Sequence, residues 1–143
     1  MNLLAADEAC QNGIATAKDV AQQLREGGLH TAFHDFRVKA CHSADTRLPA
    51  SFNAKELARA SKPKTHRTGG FLGLFGKKEI EAEPFAQTLS NELKTVGFEQ
   101  PNVAGYHGAG VTISAEDHHY RRLPESQESN IRSSSVRKRF IPV

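Results

Sequence analysis

Seven histidines in 143 residues are the first candidates for chemistry. His30, His34, Cys41 and His42 form an H-x3-H-x6-C-H arrangement. On a helix, His30 and His34 would lie one turn apart and could share a zinc ion. On a strand they share a face but stand about 13 Å apart, too far for one ion. Phe36, Val38 and Ala40 alternate with Arg37 and Lys39, which favours the strand and makes His34 a partly buried histidine beside Phe36. A second group joins His107 to Glu116-Asp117-His118-His119. If the chain folds back after Ala115, His107 meets Asp117 or His118, pairing a base with a carboxylate or offering metal ligands. Neither H-E-x-x-H nor a paired-cysteine spacing occurs. The histidines at 30, 34, 42, 107, 118 and 119 therefore give no expected metal set, no cofactor and no catalytic assignment. A small enzyme with a His107/Asp117/His118 site stands as an alternative reading. Ser133-Ser134-Ser135 lack the G-x-S-x-G setting of a nucleophile elbow.

Binding chemistry has two stronger candidates. Thr68 to Lys78 reads T-G-G-F-L-G-L-F-G-K-K, with Phe71, Leu72, Leu74 and Phe75 set among four glycines and followed by Lys77 and Lys78. Glycine costs roughly 1 kcal/mol per interior helix position and leaves strands without packing side chains, so this is a loop. Exposed, its apolar residues suit a partner groove or a membrane surface, while the lysines meet acidic groups. Eleven residues cannot span a bilayer, which needs about 20. The second candidate is the end of the chain. From Leu123 onward serine, glutamate and arginine dominate without an apolar period, which reads as an extended tail. Its last residues put Arg137, Lys138 and Arg139 beside Phe140 and Ile141, the composition of a docking peptide.

The basic F-L-G-L-F-G-K-K turn resembles the loop of the small N-terminal module of bacterial Jag-type RNA-binding proteins. The likeness covers Ser61–Glu81. It implies a compact β-α-β unit in which the loop precedes a strand such as Lys78-Glu79-Ile80-Glu81, and a nucleic-acid role. The nucleotide-clamping G-x-x-G helix-turn of the accompanying KH domain is absent from this chain.

These candidates must be carried by a body that the rest of the chain builds. The length fits one domain with a real core, and 38% apolar with 24% charged residues excludes wholesale disorder. Two cysteines, Cys10 and Cys41, exclude a disulfide-rich scaffold and favour a reducing compartment. The N-terminal M-N-L-L-A-A-D-E lacks the look of a secretory signal, so a cytoplasmic location is expected. Net charge is +3 but uneven: neutral over 1–61, basic over 62–79, acidic over 80–120 and basic again over 121–143. Basic arms around a neutral-to-acidic body can meet a polyanion.

Local signals place the elements. A short helix is compatible with 2–11, ending at Asn12-Gly13. Thr16 and Asp19 have capping-box spacing before Val20, Ala21 and Leu24, and Gly27-Gly28 ends that helix. Asn53 and Glu56 make a second capping box for a helix through Ala60, with Phe52 stapled on Leu57. Ile80–Glu83 is either a strand or a helical lead-in. Pro84 starts the strongest amphipathic face, Phe85, Leu89, Leu93 and Val96, which Gly97 ends with Phe98 beyond. Val103–Ser114 reads as strand, turn, strand. The expected fold is α+β. Two or three helices pack on a small antiparallel sheet from 31–40, 102–107 and 110–115. One domain covers 1–122, and an extended basic tail covers 123–143. The expected function is a non-enzymatic structural or adaptor subunit of a larger assembly, docking through the 68–78 loop and the 136–143 tail. A nucleic-acid module using Lys62, Lys64, Arg67, Lys77, Lys78 and the tail arginines is the alternative partner reading.

Overall fold

The computed structural model describes residues 5–6, 14–68, 77–113 and 118–143. The fold is α+β, with three α-helices and small mixed and antiparallel sheets among the described residues. Strands β1 (Ala5–Ala6) and β2 (Ile14–Ala15) pair antiparallel, so the helix expected over 2–11 gives way to a strand where the chain is described. Helix α1 spans Ala17–Glu26. Its capping box is complete: the Thr16 hydroxyl accepts from the Asp19 amide at 3.2 Å, and Asp19 accepts from the Thr16 amide at 2.8 Å.

Helix α2 (Ala54–Ala60) starts at Asn53, whose side chain accepts from the Glu56 amide at 2.8 Å. The reciprocal half of the expected box is corrected: Glu56 accepts instead from the Ala50 amide, at 3.3 Å. The turn folds back over the helix start and brings that nearer donor within reach. Helix α3 (Phe85–Thr95) buries Phe85, Ala86, Leu89, Ser90 and Leu93 on one face. Gly97 at φ +101° closes it, and the Phe98 amide donates to Leu93 O at 3.0 Å in a Schellman cap.

The main sheet runs β10–β6–β3, and its order departs from the sequence reading. Strand β6 (Asn102–Tyr106) lies at the centre, parallel to β3 (Asp35–Arg37) and antiparallel to β10 (Arg137–Phe140). The sheet is therefore mixed. The second arm of the expected hairpin, β7 (Ala109–Ile113), leaves it and pairs with β8 (His118–Arg122), which in turn pairs with β9 (Ile131–Arg132). Gly108 at φ +73° turns the chain out of one sheet into the other. The extended tail is corrected over 131–140, which forms β9, a 3₁₀ turn at Ser133–Val136, and β10.

Helices α1 and α3 pack together, and α3 lies on β6 and β10. Phe36, Phe85, Leu89, Leu93, Phe98, Val103 and Phe140 form the core between them. Gly105 sets the separation of α3 from β6, since a Cβ there would stand 2.7 Å from the Ala86 Cβ and 3.0 Å from Ser43 O. Val103 through Tyr106 are buried in succession, with α3 packed on β6 and the β8 side chain Arg121 lying over the Tyr106 ring.

The remaining ribbon pairs β4 (Lys64–Thr68) with β5 (Lys77–Ala82), which settles Ile80–Ala82 as strand. The glycine-rich residues 69–76 connect the two strands and lie outside the described residues. Among the described residues, no helix is long and apolar enough to cross a membrane.

Candidate functional site

The turn 41–45 sits between the N-terminus of α3 and the C-terminal end of β6. Ser43 stitches it there: its hydroxyl donates to Val38 O at 2.8 Å and accepts from the Tyr106 amide at 2.9 Å, while its carbonyl accepts from the Ala86 amide. His42 adopts the left-handed region at φ +55°, and its amide donates to Gly108 O at 2.9 Å. That conformation turns the next residues inward and delivers Asp45 beneath the end of β6.

The Asp45 side chain is 2% exposed, and both of its oxygens are occupied. Oδ1 accepts from His107 Nδ1 at 2.5 Å. Oδ2 accepts from His42 Nδ1 at 2.9 Å and from the Gly108 amide at 3.0 Å. Burial pushes the carboxyl pKa up, but the hydrogen bonds from His107, His42 and Gly108 together hold it below the ordinary aspartate range. A buried carboxylate that accepts from two imidazoles fixes each ring with Nδ1 as the donor, which leaves each Nε2 as the basic nitrogen of the neutral ring.

Arg121 lies behind this cluster, 3% exposed. Its guanidinium donates to Lys39 O, Ala40 O and Gly108 O at 2.9, 3.2 and 3.4 Å, and Nε donates to Ser133 Oγ at 3.2 Å. It also lies 4.8 Å from the centre of the Tyr106 ring. Burial lowers the Arg121 pKa, and the carbonyl cage satisfies the charge in place of a direct carboxylate contact. Cys41 is exposed beside this cage, with Sγ accepting from the Gly110 amide at 3.3 Å.

His42 differs from His107 in access, at 18% against 4% side-chain exposure. It lines a pocket of about 200 Å³ whose apolar lining comes from two segments, Leu48, Pro49 and Ala50 and then Leu123 and Pro124. Glu125 and Ser126 complete the lining with His42.

The residues singled out in the sequence are distributed differently. His107 meets Asp45 rather than Asp117 or His118. Asp117 lies outside the described residues, and His118 pairs with Ile113 while Arg122 pairs with Ala109. His118 thus stands four strand residues beyond the end of the ladder nearest His107, about 14 Å along it. His34 is exposed, a correction to its expected burial beside Phe36, because the regular strand begins only at Asp35. His30 is exposed too, its Nδ1 accepting from the Ala32 amide at 3.1 Å. His119 faces Lys39, with Nε2 3.3 Å from Nζ. Among the described residues, no group of three His, Cys, Asp or Glu side chains is placed to hold a metal ion.

Phe71, Leu72, Leu74 and Phe75 lie outside the described residues. Lys77 and Lys78 open β5, opposite Thr68 and Arg67. On β10, Phe140 is 5% exposed and part of the core, while Lys138 is half-buried and donates to Ser61 Oγ. Arg137, Arg139 and Ile141 face outward, with Arg139 donating to Asp35 at 3.0 Å.

Asp45 and Arg121 were not selected from the sequence. The one available signal was His42-x-x-Asp45, two polar residues three apart in a turn-forming stretch, a spacing that lets their side chains meet. Comparison of the chain with models of protein families, with curated proteins and with solved structures finds no match in any of the three.

Proposed function

We propose that this chain is a non-enzymatic adaptor subunit that docks on an acidic protein partner through the β4–β5 arm and the loop 69–76 at its tip, working in the cytoplasm. One observation carries the reading. Lys64–His66 on one strand and Glu79–Glu81 on the other are all exposed, so neither face of the ribbon is covered by the body there. A two-stranded ribbon is marginal in water by itself, and an uncovered one gains its order from what it meets. Ile80, 58% exposed, offers an apolar contact partway along it, and Phe71, Leu72, Leu74 and Phe75 supply the apolar part of the tip. Ile141, 63% exposed beside Arg137 and Arg139, gives a second contact surface at the end of β10.

Because Thr65 pairs with Ile80, residues 66–79 can be replaced by Asn-Gly without disturbing the remaining register. The experiment compares the wild-type chain with this variant in purification from the native source, with chemical cross-links mapped on the chain. Expected is a partner retained by wild type, cross-linked within 62–82, and lost by the variant. A partner held equally by both chains, or a wild-type chain that is a lone monomer, would overturn the reading.

A nucleic-acid partner is the second reading, favoured by the ladder itself. Arg67 is in register with Lys78, and Thr68 with Lys77, so the ladder gathers three basic positions of the two strands at the end of the arm next to the loop, a charge pattern suited to phosphate. Fluorescence anisotropy with a labelled oligonucleotide at several salt concentrations tests it. Phosphate contacts predict steep weakening with salt, and an absence of binding at low salt removes this reading.

A further inference from the structure

The pocket beside His42 stands apart from the arm and from the docking reading, and its chemistry is one-sided. His42 Nδ1 donates to Asp45 at 2.9 Å, so when the ring is neutral its acceptor is Nε2. Glu125 adds a carboxylate to the lining. The Ser126 hydroxyl oxygen already accepts from the Glu128 amide at 3.1 Å. No lysine or arginine is among the lining residues, and the nearby Arg121 spends its guanidinium on Lys39, Ala40 and Gly108 carbonyls and on Ser133. Among the lining residues Glu125 is therefore the one charged carboxylate, and a neutral His42 adds an acceptor.

The other described lining residues are apolar and come from the 48–50 and 123–124 segments. At about 200 Å³ it falls below the roughly 300–1,000 Å³ that houses drug-sized ligands. It suits a compact molecule with a short apolar body and one polar end. Pro49 and Leu123 are buried and fix the inner part of the wall before a ligand arrives, whereas Leu48, 62% exposed, and the exposed Pro124 and Glu125 border it toward solvent. His42 is fixed as well, by its left-handed backbone and by the buried Asp45 carboxylate.

We propose that this pocket binds a small aliphatic amine in its ammonium form, with the charge on Glu125, one N–H donated to His42 Nε2, and the hydrocarbon between Leu48-Pro49 and Leu123-Pro124. The Glu125 carboxylate and the Nε2 lone pair of a neutral His42 both disfavour an anion, while the Ser126 hydroxyl keeps a hydrogen to donate. A neutral alcohol of the same shape satisfies His42 but leaves the charge of Glu125 unanswered.

Isobutylammonium, isobutanol and isobutyrate differ in charge at nearly constant shape, so they separate these contributions. Each is titrated into the full chain with backbone amide and histidine imidazole resonances observed by NMR. Expected is saturable movement of the His42 ring and of the Glu125 and Ser126 amides with isobutylammonium, about tenfold weaker binding of isobutanol, and still weaker binding of isobutyrate, tenfold being one increment of about 1.4 kcal/mol. The surface variant Glu125→Gln is expected to erase the preference for the amine over the alcohol. His42→Asn, which keeps a residue tolerant of the left-handed region, is expected to weaken both. The proposal is overturned if isobutylammonium gives no saturable shift, if isobutyrate binds as well as the amine, or if Glu125→Gln leaves the amine affinity unchanged while the amide spectrum shows an intact fold.

Discussion

Asp45 joins His107, His42 and the Gly108 amide through one buried carboxylate. Replacing it with asparagine, Asp45→Asn, turns one acceptor oxygen into a donor facing imidazole N–H groups or the Gly108 amide. Leaving such donors buried and unpaired should cost roughly 1–3 kcal/mol, read from urea unfolding at neutral pH. The pH dependence follows from the sign of the shift. Because the folded-state pKa of Asp45 is depressed, its contribution is fully present above the ordinary value of about 3.9 and is lost as pH falls through the lower folded value. Unfolding free energy measured between pH 6 and pH 2 should therefore fall less steeply for Asp45→Asn than for wild type at the acid end. Gly105 makes a second residue-scale demand. Gly105→Ala places a methyl 2.7 Å from the Ala86 Cβ and against the Ser43 carbonyl, backbone that cannot swing away. Overpacking of this kind should cost about 1–3 kcal/mol by the same measurement.

Elements show where local signals suffice. Helix α3 was legible because its apolar residues recur at helical spacing, Pro84 suits the start and Gly97 is free to take the positive φ its cap requires. Leu89, 3% exposed at the centre of that face, should cost about 2–5 kcal/mol when changed to alanine. The α1 cap was legible for the same reason, its partners being three residues apart. Strand β10 was not. Its inward positions are Lys138 and Phe140, so the burial alternation carries a lysine where an apolar residue would have marked it. Burial lowers the Lys138 pKa, and the ammonium finds Ser61 and the face of Phe140 instead of water. The β4–β5 arm makes the opposite prediction from α3. Since its described outer residues are exposed, replacing 66–79 by Asn-Gly should change the unfolding free energy of the body by less than about 1 kcal/mol, within the range of surface substitutions.

At the scale of the whole molecule, the α+β class followed from mixed helical and alternating periods, while the sheet order did not. Nothing near Phe36 announces Val103 as its partner, and nothing near Val103 announces Phe140, yet these three occupy one row of the main sheet. The candidate site was obscured in the same way, since His107 and Asp45 meet only through that long-range pairing. The end of the chain belongs to this architecture. Ser90 Oγ donates to Phe140 O at 3.3 Å, Gln87 donates to Ile141 O at 2.8 Å, and the Val143 amide donates to Asn91 at 3.1 Å. Phe140→Ala should accordingly destabilise the fold by about 3–5 kcal/mol in urea unfolding. Truncation after Asn130 should remove the cooperative transition altogether.

The position of β6 has a kinetic consequence. Neither of its partners in the main sheet is its neighbour along the chain, because β3 precedes it by two helices and the β4–β5 arm, and β10 follows it by a three-stranded meander. The sheet therefore cannot start as a hairpin and grow by zipping. Each of its two pairings must close its own long loop before the first rung is rewarded, and that entropy is spent ahead of the contacts that return it. The helices and the β4–β5 ribbon, closed by local contacts, can form and dissolve many times in the interval. During that interval β6, with its unbroken Val-Ala-Gly-Tyr run, has both hydrogen-bonding edges open. The same arrangement that buries this strand most completely in the finished protein leaves it as the segment most exposed to mispairing on the way there.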